Sequence, residues 1–471
     1  MNRNPLVMKF GGTSVEDARA FERVSQIVLA RKTSLPVVVV SAMSKVTDAL
    51  LFAAQKAATG EWEEASRSLE THIQRHLNVA QELLSANERA AFQSLIETTR
   101  PNISILLGAI SKQQQPFALL QDALLSTGET LSANLLAAVL RAKGLPARFV
   151  DTRRCIMTDD TYGRATPLME KTEERTRENV LSLLEASELP VMGGFIASTN
   201  DGATTTLGRG GSDFTAAIVG ACLEAEEIQI WTDVPGVMTA DPRVVKNART
   251  IPRLSYDEAA ELAFFGAKVL HPKTILPAVE RNIPVRICDS RAPEAAGTIV
   301  YHDAEMTPHT VKAIAHKTGV HIVSITSPRM LGAYGILRAI FDVFERHQTI
   351  VDVVTTSEVS VSISLEDTSA LEQIVRDLEE QGGEVKVERG RAIICVVGEG
   401  LRNTSGIAGL LFNTIRDINV LLISQGASSI NLTFVIEEAH APAAVRLLHK
   451  AFFEQAEEEL AASAPVAINH P

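Results

Sequence analysis

Cysteine is scarce: the four in 471 residues, Cys155, Cys222, Cys288 and Cys395, lie far apart and form no C-x-x-C pair. That spacing argues against a disulfide scaffold and against a thiolate zinc site, and it predicts reduced thiols in the cytoplasm. Basic charge is also in deficit, with 45 Lys and Arg facing 57 Asp and Glu for a formal net charge of −12. Such a surface repels phosphate backbones and anionic headgroups, and no basic run with interleaved aromatics provides a local exception. Neither a nucleic acid nor a membrane is expected as a partner. Long hydrophobic runs are lacking as well: no stretch approaches the ~20 apolar residues that span a bilayer, and the run between Met1 and Phe10 is too short for a secretory signal core.

What is present is enough apolar material, 45% of residues, for packed cores, and a length that at about 100–200 residues per domain predicts two to four of them. From Pro5 to about Val300, short apolar strands alternate with helical or glycine-rich segments. The strands are read at Leu6–Phe10, Pro36–Ser41, Ala147–Asp151, Pro190–Ile196, Glu227–Thr232 and Pro284–Cys288. This alternation predicts an α/β domain over residues 1–305, with a mostly parallel sheet between helix layers and ligands beyond the carboxyl ends of the strands. After a connector at residues 302–308 an internal repeat begins. Residues 321–387 read strand, helix, strand, strand, helix, strand, and residues 392–454 restart that order without its last strand. The unclaimed strand-like segment Thr310–Ala315 is expected to complete the second copy's sheet, so that the first copy (316–389) is inserted within the second (390–460).

Lys9-Phe10-Gly11-Gly12-Thr13-Ser14 puts a cation at a strand end and two glycines where a helix begins. Glycine lets a phosphate approach the backbone, free N–H groups face it and lysine adds charge, although a tight turn explains the same residues. It is neither a P-loop nor a G-x-G-x-x-G motif. Leu207 to Thr215 is a second glycine-rich helix start, with Arg209 and Asp213 close in sequence. Arginine can clamp a carboxylate and a carboxylate can hold an ammonium, which together describe an amino-acid site; a capping turn with a local Arg–Asp pair is the alternative. Ser126-Thr127-Gly128-Glu129-Thr130 reads as another helix start bearing a carboxylate. Trp231 to Gly236 and Asp241-Pro242-Arg243 are loops beyond a strand end, explained equally by nucleotide contact or by turn chemistry. Lys268, amid apolar neighbours, either covers apolar surface or points at a phosphate.

Taken in order, Lys9 to Ser14, Ser41 to Thr47, Ser126 to Ser132, Gly194-Phe195-Ile196, Thr204 to Thr215, Trp231 to Gly236, Phe265 to Pro272 and the βαββαβ pair resemble the aspartate kinase family over nearly the whole chain. The resemblance implies a three-layer αβα amino-acid-kinase fold followed by two ferredoxin-like ACT domains. It implies that MgATP phosphorylates the side-chain carboxylate of L-aspartate to 4-phospho-L-aspartate, the opening step of lysine, threonine and methionine biosynthesis. Lys9 then stabilises the transferred phosphoryl group, Asp213 orients that lysine or the substrate ammonium, and Gly11, Gly12 and Ser14 give polar contacts. Arg209 takes the α-carboxylate and Glu129 the amino group, while Ser41, Thr47, Phe195 and Ser212 line the pocket. Thr232, Asp233, Arg243 and Lys268 contact ATP; Mg²⁺ is carried largely by phosphates and water, and no protein ligand is named.

The ACT pair implies feedback by an end-product amino acid at a homodimer or larger homo-oligomer interface. Met330, Leu337, Val351, Asp352, Thr356, Ser357 and Glu358 look most like the lysine-sensitive form, with L-lysine as the effector. Three departures stand out: Met238 where some relatives carry Tyr, and Ala333 and Ile350 where the lysine-sensitive form carries serine. The rival readings are an amino-acid kinase for glutamate or carbamate, and a non-catalytic amino-acid sensor. No G-x-G-x-x-G occurs, so a fused dinucleotide domain within these residues is not expected.

Overall fold

Pro36-Val-Val-Val-Val40 has no polar alternation, so as a strand it must be covered on both faces. In the computed structural model, which describes residues 4–266, 270–302, 310–328, 334–426 and 428–455, all five of its residues are buried. It is β2, beside the equally buried β1 (Leu6–Phe10).

The chain divides into two compact units: Met1–Val237, Pro252–Tyr256 and Val269–Asp303 form the first, and Met238–Ile251, Asp257–Lys268 and Ala304–Pro471 the second. In the first, the strands after β2 are β3 (Ala147–Val150), β4 (Leu189–Gly193), β5 (Ile196–Ser198), β6 (Thr204–Thr206), β7 (Glu227–Thr232), β8 (Arg253–Ser255), β9 (Val285–Asp289) and β10 (Thr298–Tyr301). Among the described residues the main sheet runs β3-β4-β2-β1-β7-β9-β10-β8, parallel except where β10 meets β9, and β5 and β6 form a separate hairpin.

The helices of this unit are α1 (Ala18–Ala30), α2 (Val46–Ala58), α3 (Trp62–Leu83), α4 (Ala86–Ser111), α5 (Phe117–Ala142), α6 (Met169–Glu185), α7 (Gly211–Cys222) and α9 (Leu276–Glu280), while α8 (Tyr256–Phe264) belongs to the second unit from Asp257 onward. Alternation along β1 and β2 sends Met8, Phe10, Val38 and Val40 into one core cluster with residues of α1 to α5. Lys9 therefore faces the other side, where α7 packs on β1, β2 and β7. Because β1 pairs with β2 on one edge and β7 on the other, the loops after these parallel strands open at a switch point in strand order.

Three expectations needed correction. Ser126 to Thr130 is not a helix start but the middle of the 26-residue α5. The strand expected at 190–196 breaks after Gly193, because Phe195 takes a left-handed φ of 68° that ends β4 and starts β5 in a new direction. By length and composition α5 is also apolar enough to cross a membrane, contrary to the expectation; 78% of its most apolar window is buried in the protein, as in a core helix.

The second unit is built on two 14-residue strands, β11 (Ala313–Thr326) and β14 (Glu384–Val397). Its other elements are α10 (Ile336–Arg346), β12 (Val354–Thr356), β13 (Ser360–Leu365), α11 (Leu371–Glu380), α12 (Ile407–Thr414), β15 (Val420–Gln425), β16 (Asn431–Glu437) and α13 (Ala441–His449). Among the described residues they make one sheet, β12-β13-β11-β14-β16-β15. The first half of β11 pairs Ala313–Lys317 with Ile393–Val397, beside β16; after a bulge, the second half pairs with β13 and with Glu384–Glu388. Of the strand-like segment expected at Thr310–Ala315, residues 313–315 thus lie in the second copy's sheet while 310–312 precede the strand, and the two copies share both long strands.

The expected 1–305 boundary differs from this division. Ala240 and Val245 pack in the hydrophobic cluster of β14, β16 and α13, and the Ile314 N–H donates to the Thr239 carbonyl at 2.8 Å. These contacts draw 238–251 into the second unit.

Candidate active site

Lys9 is the fourth residue of the buried β1, so only its side-chain end reaches the loops beyond the strand. Its Nζ lies 2.7 Å from Asp213 Oδ1, with the two side chains 11% and 16% exposed. Of the two partners open to Asp213, the local Arg209 and the distant Lys9, the structure pairs it with Lys9. Gly11 follows, its N–H donating to the Trp231 carbonyl at 3.1 Å, and a Cβ there would sit 3.6 Å from Lys9 Nζ. At Gly12 a Cβ would come 2.9 Å from the Ala42 carbonyl oxygen, so the loops after β1 and β2 close on each other only because this residue is glycine. Arg75 of α3 bridges both loops, donating at 2.9 Å to the carbonyls of Glu16 and Ser44.

Asp213 sits in the first turn of α7, after the loop Gly208-Arg209-Gly210-Gly211. Phe195 is held against this loop. Its N–H donates to the Thr215 hydroxyl at 2.9 Å, its carbonyl accepts from Leu207 N–H at 2.9 Å, and a Cβ on Gly211 would strike its ring at 2.6 Å. Thr215, which closes the Leu207 to Thr215 motif, thus positions Phe195, a role its place in the motif does not announce. The signal was the Gly211-x-x-x-Thr215 spacing, which lets the hydroxyl also donate to the Gly211 carbonyl. Arg209 is exposed and makes no ion pair among the described residues.

Glu129 reaches the same place from the middle of α5. It is 3% exposed; Oε1 accepts one long bond from Ala42 N–H at 3.4 Å, and Oε2 has no partner among the described residues. Burial pushes its carboxyl up to about 8. Gly193 makes room for it, since a Cβ on that strand residue would lie 3.2 Å from Glu129 Cβ.

These groups line a cavity of about 300 Å³: Lys9 and Asp213 at one part of its wall, and Arg209, Glu129, Phe195 and Ser212 elsewhere, with Ser41 and Thr47 after β2. Two cations and two carboxyls on one small concavity can hold a zwitterion at its charged ends and still offer a lysine to a further anion.

Other expected residues lie elsewhere. Ser14, read as a phosphate contact, is turned inward: it is 1% exposed and its hydroxyl bonds to Ser290 Oγ and the Trp231 carbonyl. Thr232 ends β7 and donates its hydroxyl to the exposed Asp233 that follows it, at 3.3 Å. Arg243 belongs to the second unit, where it is ion-paired with Asp241 at 2.6 Å. Lys268 and Met330 lie outside the described residues. Among the described residues no group of three or more His, Cys, Asp or Glu gathers as a metal site.

Of the expected effector residues, Asp352 already faces a cation. Lys317 Nζ lies 3.2 Å from it and 2.9 Å from Glu366. Burial raises the Asp352 carboxyl despite that lysine; burial would lower the Lys317 ammonium, but Glu366 and Asp352 hold it above its ordinary value. Leu337 is exposed on α10, Val351 is half-buried, and Thr356, Ser357 and Glu358 are exposed at the β12–β13 turn.

Residues 4–289 match the model of the amino acid kinase family, and 394–452 match an ACT domain. Aspartokinase 1, chloroplastic, of Arabidopsis thaliana is 39% identical over 95% of this chain and 80% of its own length. Lysine-sensitive aspartokinase 3 of Escherichia coli (strain K12) is 37% identical over 95% of this chain and 99% of its own. Crystal structures of E. coli aspartokinase III, one with aspartate and ADP in the R-state and one with lysine and aspartate in the T-state, each superpose with a TM-score of 0.81. Each is 36% identical and covers 96% of this chain and 100% of the other.

Proposed function

The chain belongs to the aspartokinase family, and from that premise we propose how its own residues carry the transfer of a phosphoryl group from ATP to the side-chain carboxylate of L-aspartate. The acceptor is ionised at neutral pH, because a free carboxyl has a pKa near ~4, so the nucleophile needs no general base. The obstacle is charge. An anion must approach a polyphosphate, and the transition state spreads negative charge over the equatorial oxygens. Lys9 supplies the opposing charge at the end of β1, and Asp213 holds its ammonium in place. Gly11 and Gly12 let the polyphosphate approach the backbone, with Thr232 and Asp233 at the end of the neighbouring strand contacting the nucleotide. Arg209 clamps the α-carboxylate, Glu129 accepts the ammonium, and Ser41, Thr47, Phe195 and Ser212 surround the substrate.

The observation that carries this assignment is the Lys9–Asp213 pair on the wall of the cavity that also holds Arg209 and Glu129. Mg²⁺ is expected with the nucleotide; the residues gathered here offer it no cage, so no residue of this chain is assigned to it. ADP release with L-aspartate, L-glutamate and carbamate as acceptors tests the reading. Aspartate alone is turned over, and Lys9→Ala loses turnover while its circular dichroism and melting stay those of the parent. Substantial remaining kcat removes Lys9 from the chemistry.

The second unit takes an end-product amino acid, L-lysine foremost, and the chain works as a cytoplasmic homodimer at the head of lysine, threonine and methionine synthesis. The E. coli relative's complex with lysine supports the effector, and the four buried free cysteines are consistent with a reducing compartment. Lysine lowers the rate, measured against threonine and the two together; no response to any of them sinks the regulatory reading.

A further inference from the structure

Asp122 lies on α5, two turns before Glu129 and on the same helix face, and no part of its side chain meets solvent. Among the described residues it pairs with no cation. Instead it takes three neutral donors: Oδ2 accepts the N–H groups of Gly163 and Thr206 at 2.8 and 2.9 Å, and Oδ1 accepts the Thr206 hydroxyl at 2.8 Å. A carboxylate placed so deep is costly unless its geometry is used, and here it ties two loops to the helix.

Both loops bear on Arg209. Thr206 ends β6, and Leu207-Gly208-Arg209 follows at once. Gly163 belongs to the turn that covers this exit: a Cβ on Gly208 would lie 3.3 Å from the Gly163 carbonyl oxygen, and Ala165 N–H donates to the Thr206 carbonyl at 2.9 Å. Arg209 itself is exposed and has no ion-pair partner among the described residues, so the position of its backbone decides where its guanidinium can reach.

We propose that Asp122 is a positioning residue for aspartate: by pinning Thr206 and Gly163 to α5 it sets the place from which Arg209 clamps the substrate carboxylate. The inference rests on the assignment of Arg209 to that carboxylate. It predicts a split, because Asp122 touches the aspartate loop and not the phosphate loop after β1. Asp122→Ala strands three donors and lets the loop shift, raising the aspartate KM by about tenfold or more while the ATP KM stays within about twofold. Asp122→Asn can keep its carbonyl on both N–H groups and turn its amide to the Thr206 hydroxyl, so it restores most of the aspartate affinity.

The experiment is steady-state kinetics on the full chain with each substrate varied in turn, for Asp122→Ala, Asp122→Asn, Thr206→Val and Arg209→Ala, with melting curves for each. An aspartate KM that rises alone, and recovers in the Asn variant, supports the proposal. A folded Ala variant with unchanged aspartate KM, or both KM values rising in proportion, overturns it. Should the Ala variant fail to fold, Thr206→Val removes one of the three bonds and decides by the same split. If Arg209→Ala leaves the aspartate KM unchanged, the assignment beneath falls and the inference with it; if Arg209→Ala raises it and the Asp122 variants do not, only the inference fails.

Discussion

Lys9 with Asp213 in the first unit and Lys312 with Glu258 in the second are both lysine–carboxylate pairs drawn out of water, at 2.7 and 2.8 Å. Their side chains differ in access. The first pair keeps 11% and 16% of its surface and lies on a cavity wall; the second keeps 6% and 0%, with Lys312 beside the start of β11 and Glu258 on α8. A buried ion pair gains little net stability, because desolvation offsets most of the attraction, whereas removing one partner takes away that attraction and leaves the other's desolvation cost in place. The same chemistry therefore has two uses. A sealed pair joins two elements, while a pair with an open side offers its ammonium to an incoming anion.

Replacing each lysine with methionine, close in length and uncharged, breaks or sharpens this contrast. Lys9→Met is expected to cut turnover by about a thousandfold or more, as removal of a charge-stabilising group does, with a small change in melting temperature. Lys312→Met is expected to cost about 3 kcal/mol in denaturant unfolding, with kcat per folded molecule little altered. Should Lys9→Met keep its turnover, or Lys312→Met unfold like the parent, access is not what separates the two pairs.

Lys9, Arg209 and Asp213, which the structure brings to one cavity, stand out in the sequence because each lies in a short motif whose chemistry is local. The resemblance gave Asp213 to Lys9 or to the substrate ammonium, but the spacing of the motif by itself points to Arg209, and only the packing of α7 on β1 brings Lys9 to Asp213. Glu129 was found, but on the wrong element. Ser126-Thr127-Gly128 reads as a helix start, yet these residues lie within α5, whose buried apolar residues on both sides, Leu120 to Leu125 and Leu131 to Leu140, carry the helix through; the hydroxyls of Ser126, Thr127 and Thr130 are satisfied by the carbonyls of Ala123, Leu124 and Ser126 at 2.7 to 2.8 Å. In the second unit the repeat was readable from its alternation of strand and helix. The fusion of its halves was not, because the stretch between Ala315 and His321 lies in neither expected strand, whereas His316 and Lys317 stay paired with β14 and the chain only bulges between Lys317 and Ile322, within β11. Asp122 gave no signal at all: its donors come from a strand end and a turn that are remote in sequence.

Glu129 adds a smaller contrast within the first unit, a carboxyl that shares the cavity with Lys9, Arg209 and Asp213 but has no cation of its own. With its pKa pushed up from 4.5 to about 8 by burial, the Glu129 carboxyl of the folded protein holds a proton that the unfolded chain gives up near its ordinary value. The stability from this group is therefore full below pH 4.5 and is lost as pH rises toward 8, by up to about 1.4 kcal/mol per pH unit. Glu129→Gln removes that slope, so the variant melts above the parent at pH 8 and the gap closes by pH 5. The substrate ammonium requires the ionised carboxyl, so binding below pH 8 expels the proton. The parent's aspartate KM accordingly falls as pH rises from about 6.5 to 8, by at most about tenfold per unit, and the Gln variant's weaker KM stays flat. Parallel pH profiles in parent and variant would leave Glu129 as a wall of the cavity and return the ammonium to Asp213, making the Lys9 pair answerable for both substrates.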